Sequence, residues 1–164
     1  MKKIPKVFHK KIKRYFQYII ENKRQYKLEE NEVMEMLNDN LKVELVVHLN
    51  GKMLHDSTLF RYFSLTFLSD LTFALIRETY TIEEAIFNED QPGNKMHYIT
   101  KGNVILVHKK SATFIAEVSV DTFIGEVAFF TGRPRRASAR SKAFTEVLTL
   151  VLEDFLSAAE KNPR

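Results

Sequence analysis

The sequence predicts an α+β fold: a helical first part followed by an antiparallel β-roll, jelly-roll-like, with flanking helices. Three observations predict it. Apolar residues recur at three- and four-residue spacing up to about residue 76, the period of helices with one buried face. After Arg77 that spacing gives way to short β-branched and aromatic runs separated by turn residues. Those runs come at regular spacing, which suits a closed roll or jelly roll and not a parallel sheet.

In order along the chain, Pro5 to about Lys23 carries Phe8, Ile12, Tyr15, Phe16, Ile19 and Ile20 on one helical face, with a basic opposite face. Pro5 suits the first turn of that helix. A short helix is expected from Glu29 to Leu37, with Val33, Met34 and Leu37 inward. Asn38-Asp39-Asn40 is turn and cap chemistry. The next helix is expected over Leu41 to about Asn50, with Leu41, Leu45, Val46 and Leu49 on one side and Gly51 ending or bending it. A further helix is expected over Ser64 to Ile76, carrying Phe67, Leu68, Leu71, Phe73 and Leu75. The phenylalanines Phe60, Phe63, Phe67 and Phe73 recur at helical spacing and read as core.

Strands are expected at Glu78–Ile82 and Ala85–Asn88, before the strong turn Gln91-Pro92-Gly93-Asn94. Met96–Thr100 and Asn103–His108 flank Lys101-Gly102, which reads as a compact hairpin. Thr113–Val120 alternates, with Phe114, Ala116, Val118 and Val120 on one face. Ala137–Ser141 and Glu146–Leu152 are later strands, and Glu153–Lys161 is a closing helix stopped by Pro163. The boundary between the helical and β parts falls near Asp56–Phe63.

Composition narrows the function. With 164 residues the chain has room for one domain, or one domain and a helical appendage. Apolar residues make up 45%, which excludes a disordered chain. Thirteen Phe and no Trp point to a core of Phe, Leu, Ile and Val, and the absence of Cys excludes disulfides, a thiol nucleophile and thiolate metal sites. His9, His48, His55, His97 and His108 are scattered without metal-site spacing. Neither a G-x-S-x-G elbow nor a Walker loop is present, so no pattern supports an enzyme. No apolar stretch reaches the roughly 20 residues of a bilayer span, and the N-terminus lacks a signal-peptide core; the chain as given reads as soluble. The net charge of +4 is local: seven of the first 14 residues are Lys or Arg, and Arg133, Arg135, Arg136 and Arg140 form a second cluster. Such patches suit nucleic acid, anionic lipid or a phosphate ligand, or, for the first, simply a solvated helix face.

One segment carries chemistry. Phe123-Ile124-Gly125-Glu126-Val127-Ala128-Phe129-Phe130-Thr131-Gly132-Arg133-Pro134-Arg135-Arg136-Ala137-Ser138-Ala139-Arg140 places Gly-Glu at a strand end, then a short apolar turn, a Gly/Pro loop, and Arg before small residues. Gly125 lets backbone approach a ligand closely. Glu126–Phe130 is expected to be a short helix whose free N–H groups face an anion. Arg135 can add a bidentate bond to phosphate, a contribution of roughly 1.5–3 kcal/mol. Ala137 and Ser138 are small enough to let a ligand lie against their strand. A carboxylate beside an anion needs another partner, and a ribose 2′-hydroxyl is one. The alternative is a structural Glu126–Arg135 ion pair. Arg135–Ser138 also has the pattern of a basophilic kinase site, but its position reads as a strand entry.

Gly125-Glu126-Val127-Ala128 with Pro134-Arg135-Arg136-Ala137-Ser138 resembles the phosphate-binding cassette of cyclic-nucleotide-binding domains. That family includes cAMP receptor proteins, protein kinase A regulatory subunits, and cyclic-nucleotide-gated and hyperpolarization-activated channels. Tyr98-Ile99-Thr100-Lys101-Gly102-Asn103-Val104 is similar to the family's Y-x-I-x-x-G-x-V hairpin. Phe8–Tyr18, then Leu37-Asn38-Asp39-Asn40-Leu41-Lys42-Val43-Glu44-Leu45, and the Leu59-Phe60 pair resemble the C-linker of the channels. The resemblance implies a helical C-linker over 1–60 and a cyclic-nucleotide-binding β-roll over 61–164. It implies cAMP or cGMP as a regulatory ligand, with Arg135 on the phosphate, Glu126 on the ribose 2′-hydroxyl, and Gly125, Val127, Ala128, Arg136, Ala137 and Ser138 lining the pocket. It further implies a cation channel gated by that ligand, subunit contacts in a tetramer through the C-linker, and a place on the cytoplasmic side of a membrane. The membrane would be reached only through a missing transmembrane part, and no nucleic-acid polymer is implied.

Three departures from the family pattern stand out. Glu83, Asp90 and Asp121 occupy turn positions where the family often has Gly; Asp tolerates left-handed backbone better than most residues. Ile124 replaces a Phe. Arg136 stands where cGMP-responsive channels tend to have Thr, which favours cAMP over cGMP. The chain stops at Pro163-Arg164, where the family continues into a lid helix, so a fragment of a longer channel with reduced affinity is expected. Two rivals remain: a non-nucleotide-binding homology domain of the ether-à-go-go type, whose pocket the protein fills itself, and a DNA-binding regulator of the cAMP-receptor type, which would need a helix-turn-helix after the roll.

Overall fold

Alternating apolar residues, short runs and tight turns produce two antiparallel sheets in the computed structural model, which describes residues 10, 12–15, 17, 18, 36–108, 111 and 113–162. Contacts divide the chain into two units, residues 1–42 and 43–164. In the first, Lys10, 12–15, 17, 18 and Met36 are helical. Most of the expected Pro5–Lys23 helix, including Phe8, Phe16, Ile19 and Ile20, lies outside the described residues, as do residues 29–35 of the expected second helix. Helix α1 spans Asp39–Asp56 and is capped by Asn38, whose Oδ1 accepts from the Leu41 N–H at 3.0 Å. It runs straight through Gly51, against the expected break. A helical Gly costs only about 1 kcal/mol relative to Ala, and the extra turns carry Leu54 to full burial.

The second unit begins within α1, at Val43, and contains everything after it. Helix α2 covers Leu65–Ala74, with Ser64 Oγ accepting from the Phe67 N–H. Strand β1 is Ile76–Tyr80, β2 Ala85–Phe87, β3 Lys95–Lys101, β4 Val104–His108, β5 Thr113–Val118 and β6 Phe123–Ile124. Helix α3 is Glu126–Thr131, β7 Ser138–Ser141, β8 Thr145–Val151, and α4 Leu152–Lys161. One sheet has the order β1-β8-β3-β6, the other β2-β7-β4-β5. Their pairings are antiparallel, as a jelly roll requires. Among the described residues no helix is long and apolar enough to cross a membrane.

Period-2 alternation divides the core. Phe87, Ile99, Val104, Ile124, Ala139 and Val147 fill the space between the sheets. Met96 and Leu150, on the other face of β3 and β8, join Leu54, Phe60, Phe67, Leu68, Leu71, Phe129 and Ala158 under the helices. There Phe155 of α4 meets the rings of Phe60, Phe63, Phe67, Phe129 and Phe130, with centroids 5.6–6.4 Å apart. Leu54 and Phe60 are fully buried in this cluster.

Three expectations are corrected. Phe73 is 56% exposed, and Thr72 is buried in its place, because the buried face of α2 is Phe67, Leu68, Leu71 and Thr72 and position 73 has rotated out of it. Lys101-Gly102 does not close a hairpin: β3 and β4 pair with different strands, and the chain crosses there from one sheet to the other. In β5 the register shifts between Leu106↔Ala116 and Val107↔Phe114, a bulge that breaks the alternation and leaves Phe114 exposed, while Val120 lies beyond the strand.

Candidate functional site

The distinctive segment folds as a corner between sheets. Strand β6 ends at Ile124, and Gly125 turns the chain with φ +80° into α3. Gly132, with φ +67°, closes α3 by donating its N–H to the Ala128 carbonyl. Residues 133–137 then lead into β7.

Arg135 returns from this loop into the roll and is only 4% exposed. Its Nη1 donates to the Gly125 carbonyl at 2.7 Å, and its Nη2 donates to the Lys95 carbonyl at the start of β3. Its Cζ lies 4.3 Å from the centre of the Phe87 ring, a cation–π contact. Nε is buried and has no hydrogen-bond partner among the described residues. The backbone is equally tied: Arg135 N–H donates to the Gln91 carbonyl at 2.8 Å, and the Asp90 N–H donates to the Arg135 carbonyl at 2.9 Å. Burial lowers the guanidinium pKa, and the negative charge of Glu126 opposes that; an arginine stays protonated regardless.

Gly125 is dictated by this packing. A Cβ there would lie 2.2 Å from Arg135 Nη1 and 3.3 Å from Phe87 Cε1. Glu126, the first residue of α3, is half-buried, and its carboxylate forms no hydrogen bond or ion pair among the described residues. The alternative of a structural Glu126–Arg135 ion pair is therefore not what the geometry contains.

The other candidates divide by exposure. Ala128 is buried and Ala137 half-buried, while Val127 and Arg136 are exposed. Ser138 is 1% exposed, and its Oγ accepts from the Glu89 N–H at 2.9 Å. That seals it from a kinase while leaving its hydroxyl hydrogen to donate.

Sequence reasoning missed the residues that hold the arginine. Phe87 at the end of β2 and the Lys95 carbonyl are distant from Arg135 in sequence. A Phe ending an apolar run just before Asn88-Glu89-Asp90-Gln91-Pro92-Gly93 was the available signal. Behind Phe87 lies a polar group: the His97 ring stacks on it with centroids 5.8 Å apart. His97 Nδ1 is 2.9 Å from Thr149 Oγ1, and Thr149 donates to Glu78 Oε2 at 2.5 Å.

The profile of the family described as "Cyclic nucleotide-binding domain" matches residues 77–162, just over half of the chain. A rod photoreceptor cyclic nucleotide-gated channel subunit alpha from Gallus gallus is 23% identical over 98% of this chain and 25% of its own length. Human cyclic nucleotide-gated channel alpha-3 is 23% identical over 99% of this chain and 24% of its own. The chain thus spans about a quarter of the length of these relatives. A solved cyclic nucleotide-binding-like protein from Brucella abortus superposes with a TM-score of 0.61 at 24% identity, covering 68% of this chain and 97% of that one; it shares the fold.

Proposed function

Because the chain belongs to the cyclic nucleotide-binding domain family, we propose that it is the cytoplasmic regulatory domain of a cation channel, with cAMP favoured over cGMP, and that ligand binding is coupled to gating. Its place in that family makes it a cyclic-nucleotide-binding regulatory domain and not an enzyme.

One observation carries the site assignment. Arg135 is buried, charged and held by protein carbonyls, yet keeps a buried Nε–H with no acceptor among the described residues. Leaving a buried charged donor unmatched costs more than an ordinary hydrogen bond contributes, and a phosphate oxygen is an acceptor that would match it once the residues covering Nε part to admit it. Glu126, without a protein partner among the described residues, then accepts the ribose 2′-hydroxyl. Gly125, Val127, Ala128, Ala137 and Ser138 line the phosphate end, and the exposed Arg136 adds positive charge without the hydroxyl associated with cGMP.

The relatives are named as gated channels, and the likeness extends through the helical residues ahead of the roll. Residues 1–60 then act as the C-linker that passes the change to a pore and joins subunits of a tetramer, and residues 61–164 as the sensor. Binding drives gating only to the extent that the ligand prefers one state over the other. The rival reading, an ether-à-go-go-type domain that binds no nucleotide, loses ground because both Glu126 and Arg135 are present. Calorimetric titration with cAMP and cGMP tests the assignment. Binding in the wild type, with strong loss in both Arg135→Ala and Glu126→Ala, is expected. Unchanged affinity in the two variants would refute the residue roles, and no binding in the wild type would favour the rival.

A further inference from the structure

We infer that Phe87 is a positioning residue for nucleotide binding: the face of its ring sets the plane of the Arg135 guanidinium and thereby the direction of the free Nε–H. This rests on the reading of Arg135 as the phosphate ligand.

The argument starts from degrees of freedom. Two hydrogen bonds, Nη1 to the Gly125 carbonyl and Nη2 to the Lys95 carbonyl, fix two in-plane directions. They leave the guanidinium free to rock about the line joining those oxygens, and Nε swings with it. A third contact, away from those two oxygens, limits that freedom, and Phe87 supplies it with its ring centre 4.3 Å from Cζ. Aromatic faces carry the negative part of the ring quadrupole, so the contact attracts a cation most strongly where water is excluded. Phe87 is 8% exposed and Arg135 4%.

The ring is itself held. Phe87 stands opposite Ala139 in the β2–β7 pairing, and the small alanine leaves room for it. It stacks on His97, which Thr149 holds through Nδ1. Phe87 Cε1 and Arg135 Nη1 crowd the same point beside Gly125, so ring, guanidinium and backbone corner form one joint. An aliphatic side chain of similar bulk would fill this part of the core but offer no electron-rich ring face to the cation. The role is therefore separable from packing.

The experiment uses the full chain and four forms: wild type, Phe87→Leu, Arg135→Ala and the double variant. Affinity for cAMP is read by NMR titration, which reaches weak binding, and exchange of the Arg135 Nε–H is read in the free proteins. Phe87→Leu is expected to weaken cAMP binding about threefold to tenfold and to speed Nε–H exchange. In the Arg135→Ala background the same change should alter affinity less than about twofold, because coupled residues are not additive. Equal loss in both backgrounds would make Phe87 a packing residue and overturn the inference, as would unchanged affinity or unchanged exchange. If the wild type takes up neither cAMP nor cGMP, the nucleotide reading fails by itself. The positioning role is then decided by Nε–H exchange alone, with faster exchange in Phe87→Leu supporting it and equal exchange overturning it. Should Phe87→Leu fail to fold, Phe87→Met carries the same expectations.

Discussion

Replacing Gly125 by Ala should destabilise the protein far more than replacing Gly132, although both glycines have left-handed backbone. At Gly132, with φ +67°, nothing lies within 4 Å of an added Cβ. The cost there is conformational: about 1–2 kcal/mol for left-handed backbone, offset by about 0.4–1 kcal/mol from restricting the unfolded chain. At Gly125, with φ +80°, the same two contributions apply, and the new Cβ would also lie 2.2 Å from Arg135 Nη1 and 3.1 Å from Cζ. The guanidinium must leave the Gly125 carbonyl, at a loss of about 1.5–3 kcal/mol for a charged hydrogen bond. Gly125→Ala should therefore cost about 1.5–4.5 kcal/mol, and Gly132→Ala at most about 1.6 kcal/mol. At about 2–4 °C per kcal/mol for a chain of this size, thermal unfolding should fall by about 3–18 °C in the first variant and by no more than about 6 °C in the second. Equal shifts would mean that Arg135 yields without loss, and the account of the corner as a packed joint would be wrong.

Glu83→Gly should raise the unfolding temperature, since Glu83 has φ +63° and an exposed side chain; relief of about 1–2 kcal/mol of strain exceeds the extra freedom given to the unfolded chain, and a lowered temperature would contradict this. Stability should also depend on pH through His97, whose burial, assisted by Arg135 and Lys95 against the opposing charge of Glu78, lowers its pKa from 6.5 to about 4. The unfolded chain then binds a proton that the folded chain refuses, so stability is full above pH 6.5 and declines by about 3 kcal/mol as pH falls toward 4. Glu78 adds to the loss at lower pH: burial raises its pKa, but bonds from Thr149 and Tyr80 and the charges of Lys95 and His97 hold it lowered overall. Urea unfolding between about pH 7 and about pH 4.5 should show a shallower decline in His97→Gln than in the wild type; parallel slopes would show that His97 does not carry the effect.

Local rules were legible and distant ones were not. Glu83, Asp90 and Asp121 stand where turns need left-handed backbone, and all three have φ between 63° and 67°. The run from Phe123 to Arg140 could be read because strand end, helix and loop follow one another within it. Gly51 misled because a helix-breaking residue is a small local penalty that burial of Leu54 outweighs. The pair Lys101-Gly102 has hairpin chemistry, but a corner between sheets uses the same residues, and only the partner strands distinguish the two. The bulge in β5 leaves no mark in residue type. The hold on Arg135 was invisible for a stronger reason: it uses two backbone carbonyls and one ring face, and carbonyls are common to every residue.

The short cassette helix is attached in two different ways. At Gly125 and Arg135 the attachment is directional, made of hydrogen bonds that fail when angles change. On its other side Phe129 and Phe130 sit among the rings of Phe60 and Phe155, where dispersion contacts tolerate several orientations. A tug at the directional end can therefore tilt the helix without tearing its apolar seat. Phe155, on α4, shares that seat and would feel the tilt at once, as the follower riding on a cam.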